Sequence, residues 1–234
     1  MLTFLFWNMG GEAAPSASRQ VLHRRQTLAD ISANLVRHHA VDVLILAECP
    51  LTPLELLWSL NARNPRPFQP PDPGSLCHRL LLYTRFPIRQ LQRECESAVY
   101  TSRRIRLPRR PELTLFAAHL AGKRHRSGAS QSLSLVSFSR VIRDLESKVR
   151  HRRTVLVGDL NVNPFEDGIV GAEGLNAAMT REIARRGQRT IDAVQHPFFY
   201  NPMWCHFGDA THGRYPPSSP HHEPPGTWAW FKTG

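Results

Sequence analysis

An α/β fold of layered sheets and helices is what this sequence predicts, and three observations carry the prediction. Apolar runs of strand type alternate with stretches of helical period along 234 residues. The first two such runs and the helical stretch between them have the spacing of a strand–helix–strand unit. No internal repeat and no linker composition divides the chain, which is long enough for one substantial core. It reads as a single domain over 1–234, with a Pro-, His- and aromatic-rich irregular tail from 196.

Leu2 to Trp7 is a buried-strand run that ends on Asn8, with Gly10 and Gly11 beyond it. Val21, Leu28, Ile31 and Leu35 then share one helical face, and the helix should stop near His39. Val41 to Ala47 is a second buried strand, ending on Glu48. Thr52-Pro53-Leu54-Glu55 has the cap, first-turn proline and third-position glutamate of a helix start, running to about Leu60. Residues 61–75 are a Pro-, Asn- and Asp-rich loop, and Leu80 to Tyr83 is a strand. Val99 to Leu107 alternates as a strand with one wet, arginine-bearing face. Leu113 to Ala118 is a strand that ends on His119, and 122–130 is a basic loop. Leu135, Phe138, Ile142, Leu145 and Val149 mark the strongest amphipathic helix. Thr154 to Val157 is a strand ending in Gly158-Asp159-Leu160-Asn161, with Asn163-Pro164 as a turn. Leu175 to Arg186 reads as a helix, and Thr190 to Val194 is ambiguous between states.

The net charge of +11 is unevenly placed. Residues 79–153 hold 18 Lys and Arg against 5 Asp and Glu, and the rest of the chain holds 12 against 14. That middle segment suits a polyanionic partner such as nucleic acid. An equally plain reading is a genome that writes its basic residues as arginine, since only Lys123, Lys148 and Lys232 are lysines. Cys49, Cys77, Cys95 and Cys205 have no CxxC spacing, and the start has neither a basic n-region nor a small-residue cleavage site. The expectation is a cytoplasmic protein with reduced thiols, no secretory signal and no membrane span. The twelve histidines form no metal-ligand spacing.

Four strand-like runs thus end in single polar groups: Asn8, Glu48, His119 and the Asp159/Asn161 pair. One glutamate at a strand end is more often a solvated group, and one histidine after an apolar run more often a satisfied core residue. Recurrence at four strand ends makes the case, because layered α/β folds gather strand-end side chains on one rim, where ligands bind. Asn8 and Glu48 offer hard oxygen ligands for Mg²⁺. Asp159 suits the orientation or deprotonation of water, Asn161 the holding of water or phosphate, and His119 a contact to a phosphate oxygen.

The segments Phe6-Trp7-Asn8, Leu46-Ala47-Glu48, Ala118-His119-Leu120 and Gly158-Asp159-Leu160-Asn161, over roughly residues 2–165, resemble the endonuclease/exonuclease/phosphatase superfamily. The resemblance implies a four-layered α/β sandwich, with two central, mostly antiparallel sheets flanked by helices. It also implies metal-dependent hydrolysis of a phosphoester. Asn8 and Glu48 would bind Mg²⁺, with Mn²⁺ a substitute. His119 would contact the scissile phosphate, while Asp159 and Asn161 would position water and transition state. Nucleic acid leads as substrate because of the basic segment. A catalytically impaired scaffold that binds nucleic acid or protein, and a phosphatase or phospholipid phosphodiesterase, are the other readings. Members usually close with an Asp-bearing strand and a Ser-Asp-His-like strand end, which this sequence lacks. The last strand or strands are therefore expected to be missing, by truncation, frameshift or divergence. His212, His221 and His222 sit among prolines and make poor substitutes.

Overall fold

A computed structural model describes residues 1–11, 18–62, 64–122 and 128–206. The chain falls into two compact units, one of residues 1–121 and 145–161 and the other of residues 122–144 and 162–234.

In the first unit, β1 (Phe4–Asn8), β2 (Val43–Ala47) and β3 (Leu80–Thr84) form a sheet in that order. β4 (Leu91–Ser97), β5 (Tyr100–Ile105), β6 (Leu113–His119) and β7 (Thr154–Asp159) form a second. β1–β2 and β6–β7 are parallel, and the other three pairings are antiparallel. Every residue of β2 is fully buried, and the pleat explains its unbroken apolar run. Leu44 and Leu46 face a core shared with helices α1 (Arg19–His38) and α2 (Pro53–Asn61). Val43, Ile45 and Ala47 face Leu91, Ile105, Leu115 and Ala117 of the second sheet. The last turn of α3 (Gly128–Val149) reaches that sheet through Lys148, which pairs with Glu94 of β4 at 3.0 Å. Two central multi-strand sheets flanked by helices are the sandwich that the sequence predicts.

Helix α2 begins where the capping signal places it. Thr52 accepts from the Glu55 N–H, while the Glu55 carboxylate accepts from the Thr52 N–H at 2.8 Å.

The wet arginine face expected on β5 is absent. Arg103 is 5% exposed and pairs with Glu96 at 2.8 Å, and Arg104 pairs with Glu94 at 2.7 Å. Both acids come from β4, a strand the sequence hides because Leu-Gln-Arg-Glu-Cys-Glu-Ser carries one aliphatic residue.

In the second unit, the helix expected over 175–186 is broken. Asn176 takes a left-handed backbone, φ 51°, and its buried amide donates to the carbonyls of His196 and Pro197. These tertiary bonds override helical propensity. They leave a strand β8 (Ala177–Ala178) and, after α4 (Asp167–Val170), only a short α5 (Arg181–Arg185). The ambiguous stretch is a hairpin of β9 (Gln188–Ile191) and β10 (Val194–Pro197), turned by Asp192 and Ala193, both at positive φ. The stretch from 196, expected to be irregular, contributes β11 (Phe199–Tyr200), parallel to β8. His212, His221, His222 and the Trp228 to Phe231 segment lie outside the described residues.

Candidate active site

Parallel pairing sets the geometry of the rim. Asn8 lies opposite Ala47, so Glu48 is one step beyond the end of β1, and His119 lies opposite Asp159. The five strand-end residues then fall into two contact groups, Asn8–Asp159–Asn161 and Glu48–His119. Asn8 Nδ2 donates to Asp159 Oδ2 at 3.0 Å, although the two are 151 positions apart in the chain. The Asn161 N–H donates to Asp159 Oδ1 at 2.9 Å, and Asn161 Nδ2 donates to the Leu120 carbonyl at 2.8 Å. His119 Nε2 stands 3.3 Å from Glu48 Oε1.

Backbone geometry holds these positions. Gly158 lies so close to β6 that an added Cβ would stand 2.0 Å from the Ala118 carbonyl oxygen, so only glycine lets β7 pair here. Glu48 and Asn161 have left-handed backbones, φ 47° and 55°. Such a conformation costs a residue with a side chain about 1–2 kcal/mol, and asparagine tolerates it best. For Glu48 the surrounding chain enforces it. The Met9 N–H donates to Ala47 O at 3.0 Å, and the Gly11 N–H donates to Glu48 O at 3.1 Å.

The residues differ in access to water. His119 is 7% exposed and its Nδ1 is buried without a hydrogen-bond partner among the described residues. Glu48 presents a carboxylate whose side chain is 44% exposed. Asn8 Oδ1 accepts from the Gly10 N–H at 3.0 Å and keeps a second lone pair. No group of three or more His, Cys, Asp and Glu gathers as a cage among the described residues. A hard cation that retains most of its waters needs only one or two protein oxygens, and Glu48 with Asn8 Oδ1 fits that demand.

The matching family is the endonuclease/exonuclease/phosphatase family, over residues 5–231. This chain belongs to that family. No protein of curated function matches the sequence. Among solved structures, it is similar to a D. rerio TDP2 humanized by 14 mutations, at 18% identity and TM-score 0.41, covering 73% of this chain and 66% of that one. It is similar to the human Nocturnin catalytic domain with bound sulfate at 13% identity and TM-score 0.45, covering 74% and 70%. It is also similar to a β-hairpin deletion mutant of β toxin from Staphylococcus aureus at 14% identity and TM-score 0.48, covering 77% and 76%. The match thus spans just under two thirds of the TDP2 chain.

This family member carries one rim residue that strand-end reasoning passed over. β3 runs antiparallel to β2 with Leu80 opposite Ala47, so Arg79 precedes β3 at the end of the sheet where Glu48 follows β2. Arg79 is exposed, and its side chain contacts no other described residue through a hydrogen bond or ion pair. The turn that presents it is fixed: the N–H of buried Cys77 donates to Ser75 Oγ at 3.2 Å, and its thiol reaches the Ala98 carbonyl at 3.7 Å. In sequence, Arg79 precedes a strand rather than ending one, and antiparallel register has no local signature.

Proposed function

We propose that this protein is a metal-dependent phosphodiesterase of the endonuclease/exonuclease/phosphatase family, acting on nucleic acid. The observation that carries the reading is the chain of contacts at one rim, Asn8 to Asp159 to Asn161 beside Glu48 and His119. Family membership supports phosphoester hydrolysis as the reaction class.

Each residue has a task its contacts allow. Asp159 accepts one hydrogen bond on each oxygen, leaving lone pairs on both to orient an attacking water and take its proton. Asn8 and Asn161 fix that carboxylate, and Asn161 is itself locked to the Leu120 carbonyl. His119 Nε2 points to the Glu48 side of the rim, where it can donate to a phosphoryl oxygen. Arg79 supplies a planar cation for a phosphate oxygen. Glu48 and Asn8 Oδ1 would hold Mg²⁺ or Mn²⁺, which polarises a phosphoryl oxygen and stabilises the leaving group.

The test is turnover of a single-stranded oligonucleotide, a phosphomonoester and a sphingophospholipid by purified protein, with Mg²⁺ and with chelator. The expectation is metal-dependent cleavage of the oligonucleotide, lowered by about 10²–10⁴ in Glu48→Ala and Asp159→Ala. Activity that survives both substitutions would sink the proposed site, and preference for either other substrate would replace the substrate class.

A further inference from the structure

We infer that the protein carries a second nucleic-acid-binding surface, at the end of the four-stranded sheet opposite the candidate active site. Two loops build it. One joins β5 to β6 and holds Arg106, Arg109 and Arg110, and the other leads into β7 and holds Arg150, Arg152 and Arg153. Thr114 pairs with Thr154 and the Thr114 N–H donates to the Arg153 carbonyl at 2.8 Å, so both loops leave the same end of adjacent strands. His119 and Asp159 close the other end of those strands. Six residues of β7 at about 3.3 Å each put roughly 20 Å between this surface and Asp159.

Glu112 fastens the two loops together. Its carboxylate pairs with Arg106 and, at 3.2 Å, with His151, and its carbonyl accepts from Arg153 Nε at 2.6 Å. Arg109, Arg110, Arg150 and Arg152 are all exposed, and no hydrogen bond or ion pair joins their side chains to another described residue. On β5, by contrast, Arg103 and Arg104 are neutralised by Glu94, Glu96 and Asp72. Arg109 and Arg150 also both sit at φ 59°, a conformation that glycine or asparagine would fill more readily.

Four unpaired guanidinium groups on a rigid base fit closely spaced phosphates. The two loops expose no large aromatic or aliphatic side chain that would insert into a bilayer, which favours a nucleic-acid backbone over a lipid surface. This surface binds without reading sequence and tethers a polymer. It shares the nucleic-acid class with the proposed function and does not depend on hydrolysis.

The test is fluorescence anisotropy with a labelled single-stranded oligonucleotide of roughly 20 nucleotides, in chelator, over a range of salt. The Arg109→Gln/Arg110→Gln/Arg152→Gln variant should bind roughly tenfold more weakly at low salt, with the log–log salt slope lower by about 2. Its turnover of a small phosphodiester should match that of the unaltered protein. The control variant Arg19→Gln/Arg24→Gln/Arg37→Gln removes three exposed charges from α1 and should change binding less than twofold. Equal weakening by the two variants, no weakening by the first, or binding only to phosphatidylserine vesicles would overturn the proposal. Oligonucleotide binding by a protein that hydrolyses nothing would leave it standing and remove the proposed reaction.

Discussion

Asp159 lies where β7 stops being a strand, and Gly158 before it decides whether that position exists at all. An alanine at 158 would drive a methyl into the Ala118 carbonyl, so β6 and β7 would have to separate at their rim ends. Gly158→Ala is therefore expected to cost about 3 kcal/mol, measurable as a lower denaturation midpoint. Arg79 permits a milder test. Being exposed and unpaired, Arg79→Ala should leave thermal stability unchanged, raise KM for an oligonucleotide about tenfold and leave kcat nearly intact. A fall in kcat with constant KM would place Arg79 in the chemical step instead. Residue by residue, the sequence showed the five strand-end groups because each follows an apolar run. It could not show that Asn8 reaches Asp159, a contact made by two parallel pairings and the stacking of the sheets.

Helix α2 and strand β4 show how legibility varies between elements. The start of α2 is written locally, as a threonine, a proline and a glutamate in fixed positions, and Thr52→Ala should cost about 1 kcal/mol. β4 is written nonlocally. Its Glu96 is 3% exposed and takes hydrogen bonds from Thr101, from Ser75 at 3.0 Å and from the Leu76 N–H at 2.9 Å, beside the Arg103 guanidinium. Burial pushes the Glu96 carboxyl up, but these hydrogen bonds and the Arg103 charge outweigh it and hold the group below its ordinary value. A depressed folded value makes the contribution to stability complete above the ordinary carboxylate range. It is then lost as pH falls through the folded value. Thermal melts of the unaltered protein should therefore fall steadily below about pH 4. Glu96→Gln should be less stable near neutrality and show a flatter acid limb. The failed helix over 175–186 has the same origin as hidden β4, because Asn176 answers to the carbonyls of His196 and Pro197, about twenty residues away.

Across the whole molecule, charge and chemistry separate. The sequence places a basic excess in residues 79–153 and invites one polyanion surface there. Among the described residues, folding turns part of it into internal pairs on β4 and β5 and leaves a group of exposed arginines at the far end of the sheet. The layered fold was legible because buried strands and amphipathic helices repeat local patterns. The charge distribution was not, since burial of Arg103 depends on which acids the sheet brings beside it. No helix among the described residues is long and apolar enough to cross a membrane. Within the proposed function, Asp159 activates the attacking water. Asp159→Asn keeps the side chain's shape and one of its two acceptor oxygens while removing the base, and the other position becomes a donor facing Asn8 or the Asn161 N–H. The decisive measurement is kcat/KM on an oligonucleotide in saturating Mg²⁺ for the two proteins, with circular dichroism confirming equal folding. A loss of about 10²–10⁴ is expected for Asp159→Asn; a rate within a few-fold of the unaltered protein would mean that another group activates the water.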